Sequence, residues 1–254
     1  MDIYKLFEST NPQTQCSGIS VILPVRGGDR TQAIQICIDH INKQNINPLE
    51  IIIIEEDTKQ RINITGIKHI LIESTQPFNK SKCINCGVAN AKYNKICMND
   101  ADMIMQNGFL NAVSILLDTY EAGHIVKEIF YLNKLPTPNI EFSYNRQWTR
   151  DANFNCHGGN LFWTKPGFIK TGGMDERFIG HGSEDSEFYL RALKTCKFYD
   201  ERSMTLLHLP HTLNPSSQAD ATKNQQLWAE ISKIPLDQQV NNLRNNLSNK
   251  WNLK

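Results

Sequence analysis

The chain has 254 residues, enough for one large domain or two small ones. Hydrophobic residues make up 40%, which excludes general disorder. Lysine plus arginine (27) balances aspartate plus glutamate (26) to a net charge of +1, so nothing in the charge points to nucleic acid or an anionic membrane as partner.

Residues 1–16 are polar and mixed in charge, unlike a signal peptide. Residues 18–25 read as a buried strand, Gly27-Gly28 turn the chain, and 30–44 carry a helical pattern through Ala33, Ile34, Cys37, Ile38 and Ile41. Asn47-Pro48 breaks that helix. The longest aliphatic run, Ile51 to Ile54, suits a buried strand over 50–54 and is far too short to cross a membrane; it ends at Glu55-Glu56-Asp57. A third strand is predicted over 67–72, and a helix over 79–91 with Asn79 as its cap. A fourth strand, 95–98, stops at Asn99-Asp100, and 107–120 form another helix. Strands alternating with helices imply an α/β fold: a Rossmann-like, mostly parallel sheet with helices on both faces. Such sheets bind ligands outside the carboxyl ends of their strands, where Arg26, Glu55-Glu56-Asp57 and Asp100-Ala101-Asp102 all fall.

From about 121 the alternation weakens. Strands are predicted over 124–132, 158–163 and 204–209, irregular chain over 133–157, and a helix over 183–194 whose first turn Ser183 can cap. The Asn-, Gln- and Lys-rich tail, 216–254, still carries Leu227, Trp228, Ile231, Leu236, Val240 and Leu243, and reads as helices packed on the main domain. Seven scattered cysteines, an odd number, suit reduced thiols and a cytoplasmic setting. Cys83-x-x-Cys86 lacks the second ligand pair of a zinc site and reads as two small apolar side chains on a helix.

Three clusters can carry chemistry. Asp100-Ala101-Asp102 offers hard oxygen ligands for Mn2+ or Mg2+, which would take up charge on a diphosphate leaving group; alone, Asp-x-Asp is equally a turn after a strand. Glu184-Asp185 can supply a general base, although acidic residues also favour a helix start for electrostatic reasons alone. The glycines at 172, 173, 180 and 182 let a bulky ligand approach the backbone nearby. His208-Leu209-Pro210-His211 can add imidazole to the metal or be an ordinary surface turn. Arg26, Lys80 and Lys82 are candidate phosphate cations, and Trp148, Phe154 and Trp163 candidate stacking faces for a sugar.

In this order the segments resemble the inverting β-1,4-galactosyltransferase family and its relatives among family 2 glycosyltransferases, including the chondroitin polymerase type, over residues 18–211. Ile22-Leu23-Pro24-Val25-Arg26 is similar to the Pro-Phe-Arg segment that holds uridine diphosphate. Phe78-Asn79-Lys80-Ser81-Lys82-Cys83-Ile84-Asn85-Cys86-Gly87 is similar to Phe-Asn-Arg-Ala-Lys-x-x-Asn-x-Gly. Asp100-Ala101-Asp102 matches Asp-Val-Asp, Gly158-Gly159 the donor-side glycine pair, and Gly182-Ser183-Glu184-Asp185 the acceptor loop. His208-x-x-His211 falls where the family places a Met-x-x-His metal pair. His181 stands in place of a tryptophan, Ser186 in place of a third acidic residue, and Lys80 in place of an arginine.

The resemblance implies a GT-A fold and metal-dependent, inverting transfer of a galactose-, N-acetylgalactosamine- or N-acetylglucosamine-type sugar from a UDP-sugar to a saccharide hydroxyl. It implies Asp185 as base and Glu184, with His181 and Gly182, at the acceptor. It assigns Mn2+ or Mg2+ to Asp102, His208 and His211. The nucleotide-sugar falls to Pro24, Arg26, Glu55, Glu56, Lys80, Lys82, Asp100, Gly158 and Gly159. It divides the chain into a catalytic domain over 1–211, with a nucleotide part near 18–120 and an acceptor part near 121–211, and a helical extension over 212–254. The Gly172-Gly173-Met174-Asp175 run is also similar to retaining N-acetylgalactosaminyltransferases. A non-catalytic UDP- or carbohydrate-binding module of the same fold is the remaining alternative.

Overall fold

The computed structural model describes residues 18–27, 30–136, 149–154, 156–211 and 217–253. Gly28 and Trp148 lie outside them, as do residues 1–17 and 212–216.

The first half follows the expected alternation. Strand β1 (Ile19–Val25) leads to helix α1 (Thr31–Asn42), β2 (Leu49–Asp57), β3 (Lys68–Glu73), α2 (Lys80–Asn90) and β4 (Lys95–Asn99). These four strands are parallel and lie in the order β4-β1-β2-β3. Period-two alternation splits β1 between two cores. Val21, Leu23 and Val25 pack with Ile34, Cys37 and Ile38 of α1 on one face, whereas Ile22 packs with Cys83, Ile84 and Val88 of α2 on the other. Asn79 caps α2 as expected, its side chain accepting from Lys82 N. The sheet grows outward from β1 in both directions, which makes the carboxyl ends of β1 and β4 the topological switch point where such folds hold ligands.

The second half combines expected elements (a helix within 107–120, strands within 124–132, 158–163 and 204–209, and a helix over 183–194) with short ones that periodicity does not reveal. β5 (Met103–Met105) follows Asp102 directly, then α3 (Phe109–Leu116), β6 (Ala122–Gly123), β7 (Val126–Leu132), β8 (Thr149–Phe154) and β9 (Asn160–Thr164). β9 runs antiparallel to β4 with Asn160 opposite Asn99, so Gly158-Gly159 enter the sheet beside the end of β4. α4 (Lys165–Thr171), α5 (Glu184–Thr195), β10 (Phe198–Tyr199) and β11 (Met204–His208) follow. The seven-stranded sheet reads β10-β6-β9-β4-β1-β2-β3, and a second sheet reads β5-β11-β7-β8. β5 and β11 are antiparallel with Met103 opposite His208, a register that carries the histidine to the aspartate preceding β5.

The tail forms α6 (Ser217–Ile231) and α7 (Leu236–Trp251). A Cβ on Gly172 would lie 2.7 Å from the Leu243 side chain, and one on Gly173 2.7 Å from Leu247, so α7 sits directly on this glycine pair. Cys83 and Cys86 belong to the α2 core, and the six described cysteines are free thiols. No helix among the described residues is long and apolar enough to cross a membrane.

Candidate active site

Lys80 gathers the site. It begins α2, where the helix dipole disfavours a cation, and its ammonium is buried among carboxylates that reverse that penalty. Lys80 Nζ lies 2.7 Å from Asp100 Oδ1, 2.8 Å from Asp185 Oδ2 and 3.7 Å from Glu184 Oε1. Burial pulls the lysine pKa down, but the three carboxylates outweigh it and hold the ammonium well above the usual lysine range. Burial has the opposite sign for Asp185: helped by Glu184 and Asp100 against the pull of Lys80, it raises that carboxyl to about 7. Asp185 Oδ1 is buried with no hydrogen-bond partner among the described residues. A buried unpaired acceptor is costly, so this oxygen lacks a donor that a ligand hydroxyl can supply.

Asp102, two residues beyond Asp100, centres a second cluster. Its Oδ1 is 3.8 Å from His208 Nε2 and its Oδ2 3.3 Å from His211 Nε2. One ligand atom from each of the three residues lies within 4.8 Å of the others. Burial and the neighbouring His211 hold His208 below its ordinary pKa despite the pull of Asp102, which favours the neutral imidazole a metal requires. The backbone fixes the same geometry: Leu209 N donates to Asp102 O at 2.8 Å. One carboxylate and two imidazoles suit a first-row divalent cation such as Mn2+.

The Gly158-Gly159 pair lies between these clusters. Asp100 N donates to Gly159 O at 3.0 Å, and a Cβ on Gly158 would lie 2.8 Å from Asp185 Oδ2. Any side chain at 158 would therefore press on the Asp185 carboxylate. Ser183 does not cap α5 through its side chain. It occupies the left-handed region at φ 72, and its carbonyl accepts from Glu187 N. A non-glycine residue there is strained, and it stands directly before Glu184-Asp185. His181 is exposed, and Asn224 of α6 donates to the carbonyls of Ile179 and His181, both at 3.1 Å.

Other expected positions are engaged elsewhere. Glu55 is fully buried, accepting from Arg61 N at 2.9 Å and pairing with His69 Nε2 at 2.9 Å; Glu56 accepts from Asn79 N at 2.6 Å and pairs with Lys82 Nζ at 2.9 Å. Both carboxylates, expected toward the nucleotide, are turned into the β2–β3–α2 packing, and Lys82 is spent on Glu56. Pro24 is buried in β1, and Arg26 donates to the backbone carbonyls of Ser74 and Gln76. Trp163 is wholly buried core and Phe154 is 59% exposed. One residue escapes the sequence reading. Arg30 Nη1 lies 3.2 Å from Asp102 Oδ2 and Nη2 3.3 Å from His211 Nδ1. Its only signal in the sequence is its place at the start of the helix after the first strand.

A switch-point site beneath a mostly parallel sheet, with a second small sheet closing one side, is the GT-A arrangement of glycosyltransferases. A model described as glycosyltransferase like family 2 matches residues 20–217, well over half of the chain, and the protein belongs to that family. No curated protein matches the chain. Among solved structures, Staphylococcus aureus TarS 1–349 in complex with UDP-GlcNAc shares the fold at a TM-score of 0.58 and 13% identity, covering 87% of this chain and 69% of that one. The mannosyltransferase PcManGT from Pyrobaculum calidifontis, in complex with GDP-Man and Mn2+, does so at 0.51 and 13%, covering 81% and 62%. The catalytic domain of Drosophila β1,4-galactosyltransferase 7, in complex with xylobiose, is 21% identical over 73% of this chain and 64% of that one, with a TM-score of 0.45. The chain spans 64% of that domain and 41% of the longer TarS chain.

Proposed function

We propose that the protein is a metal-dependent inverting glycosyltransferase that moves a hexose or N-acetylhexosamine from a UDP-sugar to a saccharide hydroxyl. The observation that carries this reading is the meeting of two distant acidic segments on one buried lysine: Asp100 of the Asp-x-Asp pair and Asp185 of the α5 start both contact Lys80 Nζ. A family 2 fold supports the reaction class. TarS in complex with UDP-GlcNAc, a structure of the same fold, supports a UDP-sugar as donor.

Asp185 is the base. Lys80 holds its Oδ2 and fixes its direction, while Oδ1 keeps a lone pair for the acceptor proton. A carboxyl near neutrality is both deprotonated often enough and basic enough to take a hydroxyl proton as the oxygen attacks the anomeric carbon. Glu184, within 3.7 Å of Lys80, adds negative charge that keeps Asp185 basic and lines the acceptor side. Lys80 and the N-terminus of α2 provide positive potential for a diphosphate. Bound by Asp102, His208 and His211, a divalent cation would stabilise the charge on the leaving diphosphate. The absence of a side chain at Gly158 keeps the Asp185 carboxylate uncrowded.

The test is a panel of UDP-sugars, with and without saccharide acceptors, assayed for Mn2+-dependent UDP release, and NMR of the product's anomeric configuration. Release with inverted configuration is expected. UDP binding without release from any donor would make the protein a binding module, and a retained configuration would replace the single-displacement mechanism.

A further inference from the structure

We propose that Arg30 is the resident counter-cation of the metal site: its guanidinium bridges Asp102 and His211 when no divalent ion is bound, and an entering ion displaces it. The inference rests on the metal site proposed above and adds a residue to it. Asp102 is 5% exposed, and a buried carboxylate needs a positive partner. Among the described residues, Arg30 is the only lysine or arginine within ion-pair distance of it.

The contacts that Arg30 makes are those a metal would take over. Nη1 lies 3.2 Å from Asp102 Oδ2, the oxygen that is also 3.3 Å from His211 Nε2. Nη2 lies 3.3 Å from His211 Nδ1. The guanidinium therefore occupies part of both residues that would hold the ion. A divalent ion held by Asp102 and His211 would set its charge against the guanidinium on the same two side chains, and like-charge repulsion would drive Arg30 off.

Local structure makes Arg30 easy to release. It stands at the N-terminus of α1, where the helix dipole repels a cation, and it makes no side-chain cap. Its side chain is 31% exposed, so solvent or an incoming diphosphate can receive it. The consequence is coupling: a divalent ion alone competes with Arg30, whereas an ion arriving with a nucleotide diphosphate brings the displaced arginine a new anion.

Mn2+ titrations of the full chain, read by electron paramagnetic resonance and calorimetry with and without UDP, test this directly. Without UDP, Arg30→Ala should bind Mn2+ about tenfold more tightly than the wild type, the loss of one charge-assisted competitor. Arg30→Lys keeps the charge but not the fork that reaches two partners, and should fall between them. UDP should tighten Mn2+ binding less in Arg30→Ala than in the wild type. Unchanged or weaker Mn2+ binding by Arg30→Ala overturns the proposal. So does a wild-type affinity for Arg30→Lys, which would reduce the effect to net charge. Asp102→Asn separates the layers: if it binds Mn2+ as the wild type does, or if no protein binds Mn2+ even with UDP, the metal site itself is wrong. Thermal unfolding of each variant confirms that binding is compared between folded proteins.

Discussion

Two acidic strand ends, alike in sequence, have opposite electrostatics. Glu55-Glu56-Asp57 closes β2, and each of its carboxylates is satisfied by neighbours: the 58–62 turn, His69 on β3, and Asn79 and Lys82 at the start of α2. Asp57 is held below its usual pKa because the Thr58 amide and Arg61 outweigh its burial. Asp100-Ala101-Asp102 follows β4, and among the described residues its Asp100 carboxylate is left in deficit. Asp100, Glu184 and Asp185 share the single ammonium of Lys80, and Asp102 has Arg30 and two histidines. Satisfied carboxylates build structure, whereas carboxylates short of partners are poised for a cation or a proton.

The largest effect should come from breaking the deficient cluster. Asp185→Asn preserves shape and removes the proposed base, so transfer should fall about two to four orders of magnitude while UDP still raises the melting temperature. Normal turnover by the Asp185→Asn enzyme would put the base elsewhere. At the saturated cluster the outcome should be a stability loss. Glu55→Ala strands donors on Arg61, Ile62 and His69, that of Ile62 buried, and should cost about 3 kcal/mol. That corresponds to roughly 6–12 °C in melting temperature for a chain of this size, with the turnover of the folded fraction unchanged. Lost UDP binding at an unchanged melting temperature would show that the two clusters are not divided in this way.

The sequence reveals both clusters but not the difference between them. β1, β2 and β4 are legible because each is a nearly continuous apolar run, and α1 and α2 because their apolar residues recur at helical spacing. Those signals place the acidic triplets at strand ends without saying what each carboxylate meets. That depends on elements too short to show a period. β5 has three residues, yet its pairing with β11 carries His208 to Asp102. β9 is expected as a strand, but only its register with β4, which the sequence does not state, brings Gly158 against Asp185. Arg30 is illegible because its partners lie 72 and 181 residues away, and the resemblance marks no residue at that position. Ser183 reads as a side-chain cap because its residue type favours one; the left-handed backbone at 183 overrides that preference.

The raised Asp185 carboxyl sharpens the contrast through pH. Below about 7 the group is mostly protonated and cannot act as a base, so kcat/KM should rise about tenfold per pH unit and level off above that value. The stability sign is opposite to that of a salt-bridged aspartate. Its folded pKa lies above the ordinary value of 3.8, so its contribution is fully present below that value and is lost as pH climbs through about 7. Asp185→Asn should therefore narrow the stability difference between pH 5 and pH 8. A flat activity profile from pH 5 to 8 would separate the base from Asp185.

The smallest effect on ligand binding should come from Lys82, which differs from Lys80 by two positions on the same helix and by everything around it. Lys82 Nζ sits 2.9 Å from Glu56 Oε1, its side chain 22% exposed and that of Glu56 2%. Its charge is matched by Glu56 in the scaffold, whereas Lys80 joins three carboxylates of the proposed site. Lys82→Met leaves Glu56 its bond from Asn79 N but takes the cation from a buried carboxylate, a loss of about 3 kcal/mol. UDP affinity should stay within about twofold, because the lysine that would have to be redirected is tied to the saturated cluster. Calorimetric UDP titration beside thermal unfolding measures both quantities. A tenfold weaker UDP affinity in Lys82→Met would mean that the ammonium leaves Glu56 for the phosphate, and the β2 end would then belong to the site rather than to its scaffold.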